Sequence, residues 1–410
     1  MGSISSKISS IICPTQPPNA QVPKEKEIVR FFMIGTGAAG KTTVIRQLKC
    51  LCKERPKNYK AYDNEWNLIP PENIFSEEEI VHYRKIIRIN ITYAVYNLLQ
   101  QTIQWGHDCS AVESAQTLIQ MVERADLEGR GKFNMNIPSA LGKDLVEVLI
   151  DPNVADTLHN HDKMARIWHL EDGTLHFLTE EHIKRLFDDE AELTMSDIVH
   201  SRYPTTDSQD FRFSISSMKI QIHDMGGQPT ELAKLPEFIN HWVSQDREGY
   251  KNFVLFVTSM ADFNVPDEDE PTKTALERSV KILEIILRED IVRRCGLLIF
   301  FNKQDRFDDI VTYLQKTKEG RMEIAKFLGN AMGEKDKLKL SDGQCDIYAL
   351  YNALADKFDD VIKKQRRETY GRGVYMRFTQ AVDSKIMADI FKVIKNEIIK
   401  NFIDTGGWIP

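Results

Sequence analysis

Two hydrophobic periods alternate along the chain. Ile28 to Ile34 is a nearly continuous run of β-branched and aromatic residues, which predicts a buried strand. Helical spacing follows through Cys52, and Pro56 closes that element. Phe75 to Gly106 predicts one long helix. Ser76 and Glu79 have capping-box spacing, and Phe75 and Ile80 have the spacing of a hydrophobic staple. Ile80, Tyr83, Ile87, Ile91, Ala94 and Leu98 then recur every three or four residues, and Gly106 marks the stop. Shorter helical patterns continue to about residue 192 without a strong strand, so residues 56–196 are expected to form an all-helical insert.

The period switches to two at Phe211. Phe211, Phe213 and Ile215 alternate with polar residues, as do Met218, Ile220 and Ile222, which predicts a hairpin. Phe253 to Thr258 and Leu297 to Phe301 are unbroken apolar runs of the kind buried on both faces of a parallel sheet. Tyr375 to Thr379 predicts a last strand. Helical patterns near 272–288, 345–366 and 384–402 separate these runs. Strand–helix alternation predicts an α/β fold with a mostly parallel, doubly wound sheet, interrupted by the helical insert.

Composition narrows the class. With 42% hydrophobic and 28% charged residues, the 410-residue chain is globular and long enough for two or three domains. No apolar run approaches the ~20 residues of a bilayer span, so a helical membrane-spanning protein is not expected. Lys and Arg number 54 against 61 Asp and Glu, a net charge of −7 that argues against a nucleic-acid partner. Six scattered cysteines without a CxxC pair, and no secretory leader, predict a reducing compartment, the cytosol.

The first residues carry an address. Met1-Gly2-Ser3-Ile4-Ser5-Ser6 fits the N-myristoylation pattern, with Gly2 exposed once Met1 is removed. One acyl chain binds membranes only marginally, and Cys13 is the nearby candidate for a second. Four prolines within residues 1–27 (Pro14, Pro17, Pro18 and Pro23) predict a tether without helix.

Three motifs carry chemistry. Gly35-Thr36-Gly37-Ala38-Ala39-Gly40-Lys41-Thr42, followed by Thr43, is a full GxxxxGK[ST] match between a predicted strand and helix. Its glycines let backbone N–H groups turn around phosphates, Lys41 supplies charge to the β- and γ-phosphates, and Thr42 offers a hydroxyl to Mg²⁺. Asp224-Met225-Gly226-Gly227-Gln228 follows a predicted strand. Its carboxylate suits Mg²⁺, a glycine N–H suits the γ-phosphate, and Gln228 suits orientation of an attacking water. Asn302-Lys303-Gln304-Asp305 follows another strand, and a carboxylate at Asp305 matches the paired N–H donors of guanine, which adenine lacks. Three motifs in order, each at a strand end, predict a GTP-binding P-loop domain.

Together these segments resemble the α subunit of a heterotrimeric G protein. The helical insert matches that family's all-helical domain. Asp197 to Thr206, which includes Val199, His200, Arg202 and Thr205, is similar to its first switch, and the stretch from Asp224 to its second. Phe378 to Asp383 is similar to its last guanine loop, in which the N–H of Ala381 meets the base. The resemblance implies a Ras-like GTPase domain from residues 28–55 and 197–410, with residues 56–196 inserted and 1–27 as a lipid-modified tether. It implies GTP/GDP and Mg²⁺ as ligands, with Thr42 and Thr205 on the metal. Arg202 is implied as the arginine finger in cis, Gln228 as the residue that positions water, and Gly227 as the γ-phosphate sensor. It further implies a seven-transmembrane receptor at the C-terminal helix and tail, an effector at the switches, a βγ dimer, and the cytoplasmic face of the plasma membrane.

Several positions depart from that family's pattern. Ala38 replaces an acidic residue whose carboxylate pairs with the switch arginine, so Arg202 is expected to be less restrained in the GDP state. Pro229 stands for an arginine that anchors the second switch. Leu232, Ala233 and Leu235 replace basic and aromatic residues of the βγ surface, Pro204 stiffens the first switch, and Val382 replaces a threonine near the base. These departures bear on βγ binding and cycling more than on nucleotide binding. They support an alternative reading, a GTP-binding regulatory or scaffold protein with little hydrolysis and no βγ partner. His159 and His161, with His169 and His176, are expected in a solvated loop and not at a metal.

Overall fold

The computed structural model describes residues 28–127, 132–171, 173–203, 209–225, 234–244, 250–267, 270–365 and 373–404. Eight strands form one sheet: β1 (Ile28–Ile34), β2 (Tyr59–Tyr62), β3 (Leu68–Ile69), β4 (Gln209–Ile215), β5 (Met218–Asp224), β6 (Tyr250–Ser259), β7 (Gly296–Asn302) and β8 (Val374–Phe378). Their order is β3-β2-β4-β5-β1-β6-β7-β8. From β5 through β8 the strands run parallel, while β4 is antiparallel to β5 and β2 antiparallel to β4. Strand order reverses around β1, which lies between β5 and β6. In such sheets ligands bind beyond the carboxyl ends of the strands at that reversal.

Both faces of the sheet are covered. One face packs against α1 (Lys41–Glu54) and the helix Ser384–Asp404, burying Phe31, Leu48, Phe213, Phe300 and Phe391. The other packs against the helices Ala275–Ile286 and Ile347–Gln365, burying Phe32, Phe256, Phe301 and Phe358. β1, β6 and β7 therefore contribute to two cores, which is why β7 reads as an uninterrupted apolar run, buried at every position. Within Ser384–Asp404 the buried positions are Met387, Ala388, Phe391, Ile394 and Ile398. Val393 on the same helix is exposed.

A third core belongs to the insert. It is built on α2 (Glu77–Gln104), with α3 (Val112–Leu127), α4 (Leu141–Leu149), α5 (Pro152–His159) and α6 (Glu180–Leu186) around it. The capping box at Ser76 and Glu79 is present with both hydrogen bonds formed, and Gly106 follows the helix with φ +83°. The chain re-enters the sheet through α7 (Met195–His200), a short helix with its own capping box between Thr194 and Asp197.

One expectation fails at the start of the insert. Tyr59–Tyr62 and Leu68–Ile69 are strands that extend the sheet past β4, so residues 59–69 are not helical. Tyr59 and Ala61 are buried and Lys60 exposed, the period-two pattern of a strand with one face on the core. Four residues without a β-branched member are too short a run for that pattern to declare itself. No helix among the described residues is long and apolar enough to cross a membrane.

Candidate nucleotide site

The turn from β1 into α1 contains residues 35–40. Gly40 is the residue before the helix and takes φ +96°, and a side-chain Cβ there would sit 2.2 Å from Asn302 Nδ2. Only glycine fits that conformation and that approach. Ala38 also has positive φ, +58°. The Lys41 ammonium folds back over the loop and donates to the carbonyls of Gly35 and Thr36 at 2.9 and 3.0 Å. The Thr36 hydroxyl meets Ser279 on the helix behind at 3.2 Å. Thr42 and Thr43 occupy the first turn of α1, so both hydroxyls start from the loop end of the helix.

The second motif begins where β5 ends. Asp224 pairs in register with Met33 of β1, and the Met225 N–H bonds the Met33 carbonyl at 3.2 Å. The buried Asp224 thus lies beside the strand that feeds the phosphate loop. Gly227 and Gln228 lie outside the described residues, as do Thr205, Gly2 and Cys13.

Asn302 closes β7 and joins three segments. Its Nδ2 donates to the Ala39 carbonyl at 2.9 Å. Its Oδ1 accepts from the Ala381 N–H at 2.9 Å and from the Thr379 hydroxyl at 3.2 Å. Lys303 turns the chain with φ +61°, and Asp305 falls in the first turn of the helix Gln304–Leu314. The Gln304 N–H bonds the Thr379 carbonyl at 3.1 Å, so the segments after β7 and β8 hold each other.

These parts face one cleft of about 260 Å³. The sheet side contributes Gly40, Thr43, Asn302, Lys303, Asp305 and Ala381. The connection out of the insert contributes Val199, His200 and Arg202, and the insert itself contributes Gly173, Leu175 and His176. His176 is therefore not in a solvated loop. Its ring stacks on His200 at 4.0 Å, and its Nε2 lies 3.8 Å from the buried carboxylate of Asp197. Burial opposes ionisation of Asp197, but His176, Arg185 and Thr194 overcome it and hold the carboxyl far below its usual range. Across the cleft mouth Arg306 faces Asp162 of the insert at 3.8 Å.

Arg202 is not loosely held in this structure. Its Nε lies 3.5 Å from Glu171, and its backbone N–H and carbonyl both bond the amide of Asn90 on α2, at 2.8 and 3.0 Å. Sequence reasoning missed Glu171 and Asn90. Neither carries a local motif, and both lie more than thirty residues from Arg202 in the chain, as only the fold reveals.

The residues present fit a purine nucleotide with Mg²⁺. The loop leaves no room for a Cβ at Gly35 or Gly40, a lysine and the N-terminus of α1 meet at it, hydroxyls follow in the next turn, and a carboxylate stands in the first turn of the helix Gln304–Leu314.

Comparison with known proteins agrees. A family model described as G-protein alpha subunit matches residues 7–398. The chain is similar to the guanine nucleotide-binding protein subunit alpha-15 of Mus musculus, 22% identical over 94% of this chain and 90% of the relative. It is similar to the alpha-3 subunit of Neurospora crassa, 21% identical over 94% of this chain and 91% of the relative. To the alpha-6 subunit of Caenorhabditis elegans it is 24% identical, over 68% of this chain and 67% of the relative. The fold is accordingly a Ras-like GTPase domain with a helical domain. The chain belongs to the G-protein alpha subunit family and is a guanine nucleotide-binding alpha subunit of G-protein signalling.

Proposed function

We propose that this alpha subunit is a GTP-hydrolysing switch that relays signals from seven-transmembrane receptors. The observation that carries the reading is the meeting of the phosphate loop, Arg202 and the guanine segments at one cleft. The loop from Gly35 to Thr43 binds the phosphates through backbone N–H groups and Lys41. Asp305, with Asn302 bracing the loop and Ala381 opposite, selects guanine over adenine by accepting from its paired donors. Thr42 and Thr205 would hold Mg²⁺, with Asp224 close by. When bound, that ion neutralises charge on the β- and γ-phosphates.

Arg202 places its guanidinium against charge that builds on the γ-phosphoryl oxygens. Gln228 orients the attacking water, and the Gly227 N–H reports the γ-phosphate to the second switch. Such catalysis is positioning and electrostatics, and with an arginine in cis it is slow, on the order of 10⁻² s⁻¹; this family is itself the source of that figure. A slow step suits a timer, since the γ-phosphate orders the switch segments and its loss releases them.

For partners we propose a receptor at the helix Ser384–Asp404 and the tail beyond it, an effector at the switch segments, and a βγ dimer. The replacements Pro229, Leu232, Ala233 and Leu235 would weaken that last contact. Myristate on Gly2 would hold the chain at the inner face of the plasma membrane. We place the boundaries of the helical domain within residues 56–196, with its first strands given to the sheet.

The test is single-turnover hydrolysis of γ-labelled GTP with Mg²⁺, for the parent beside Arg202→Ala and Gln228→Leu. Slow hydrolysis by the parent, with both variants binding GTP and stalling, supports the switch. A parent that binds GTP without hydrolysing it leaves the scaffold reading.

A further inference from the structure

The described end of the first switch is held residue by residue. Arg46 of α1 bonds the Ser201 carbonyl and its hydroxyl, the latter at 3.2 Å, which ties this point to the sheet domain. The next two residues are tied to the insert instead. Asn90 takes both backbone groups of Arg202, and Asn90 is itself buried. Glu171 faces the Arg202 Nε at 3.5 Å while its other oxygen accepts from Lys132 at 2.7 Å. The Tyr203 ring sits edge-on between His82 and Phe133, both at 5.1 Å. The phosphate loop offers Arg202 no competing carboxylate, because position 38 is alanine.

We infer that Glu171 and Asn90 are positioning residues that fix Arg202 at the nucleotide cleft, so that the helical insert, and not the phosphate loop, holds the arginine. The inference rests on the reading of Arg202 as the group that meets charge on the γ-phosphoryl. An arginine has a long flexible stem, and its transition-state contact depends on that stem being oriented before the reaction. Pinning the backbone on both sides and the Nε from one side leaves the Nη end to meet the phosphate. Burial disfavours the charged form of Glu171, but Lys132 and then Arg202 outweigh it, so the holder stays anionic. Both holders sit on the insert, so an insert that swings away takes the orientation of Arg202 with it. Docking of the two domains and readiness for hydrolysis are then one event.

Glu171→Gln and Asn90→Ala, alone and each combined with Arg202→Ala, test this in the full-length chain. Single-turnover hydrolysis is expected to fall about tenfold in each single variant while GTP affinity stays within about twofold of the parent. In the Arg202→Ala background the same changes are expected to add no further loss, which a merely structural role would not produce. A second readout does not depend on turnover. The ¹⁵N–Hε signal of Arg202, assigned by its disappearance in Arg202→Lys, is expected to be protected from solvent exchange in the parent and to lose that protection in Glu171→Gln. If the parent binds GTP but does not hydrolyse it, the hydrolysis reading falls and the exchange measurement alone decides the clamp. Equal losses with and without Arg202, or an Nε–Hε signal indifferent to Glu171, would overturn the inference.

Discussion

Asn302 donates to the carbonyl of Ala39 at 2.9 Å, so the end of β7 and the loop between β1 and α1 form one hydrogen-bonded unit. The same side chain accepts from Ala381 and Thr379 on the segment after β8. All these groups are buried, so removing the amide strands a backbone carbonyl and a backbone N–H away from water. Each stranded group costs about 1–3 kcal/mol. Asn302→Ala is expected to lower stability by roughly 2–4 kcal/mol and to weaken GDP binding at least tenfold. Urea unfolding and titration with a fluorescent GDP check the two effects. Unchanged affinity in a folded variant would mean that Asn302 braces nothing the nucleotide needs.

Gly40 makes the complementary prediction from the other side of that contact. A methyl group there would meet Asn302 Nδ2 at 2.2 Å, in a backbone conformation that L residues avoid. Gly40→Ala must therefore either flatten the loop or push Asn302 off Ala39. A strain of about 1–3 kcal/mol is expected, together with loss of most nucleotide affinity. A variant with normal affinity and normal melting temperature would refute the fit of this cradle.

How much of this was legible beforehand follows from what each feature depends on. The phosphate loop, the Asp224 strand end and the Asn302 segment are local: a short motif at the end of a strongly patterned strand. The doubly wound sheet was legible for the same reason, since β6 and β7 are long apolar runs. The strand at Tyr59–Tyr62 was not, because four residues, paired with β4 on one side and with only the two-residue β3 on the other, carry little periodicity. The polarity of His176 speaks for a surface, whereas its stacking on His200 depends on how the insert docks. Glu171 and Asn90 fall in the same class, since their meaning lies wholly in a contact across the fold.

Asp197 anchors the return from the insert to the sheet. It is fully buried, closes the capping box on the Thr194 N–H at 2.7 Å, and takes both arms of Arg185 at 2.8 and 2.9 Å. These are charge-assisted bonds in a site without water to replace them. Asp197→Ala is expected to cost roughly 2–4 kcal/mol and to loosen α7 first. Hydrogen exchange over residues 195–200 should rise before that of β7. Equal protection of both segments in the variant would contradict this role.

Acid should weaken the fold through three histidines, of which His223 is buried, His200 half-buried and His82 exposed. Burial holds the imidazoles of His200, His223 and His82 below their ordinary value, and the partners that favour the charged form do not make up the loss. For His200 the groups in view are Ser196, whose carbonyl favours the proton, Asp197, which does so weakly, and His176 and His182, which oppose it. For His223 they are Asp210 at 2.5 Å on one side and Arg30 and Arg212 on the other. For His82 they are Lys85 and Arg46, which oppose the proton, and Glu79, which favours it. A base with a depressed folded value is protonated first in the unfolded chain. Its contribution is therefore complete above an ordinary value of about 6.5 and is lost as pH falls through it toward the folded value. The melting temperature is expected to drop between about pH 7.5 and about pH 5.5, and His200→Gln with His223→Gln should flatten that slope. His200 and its stacked partner His176 span the domain junction, so GDP release should quicken over the same interval. A melting temperature that stays level or rises on acidification would mean that these rings are solvated in the folded chain.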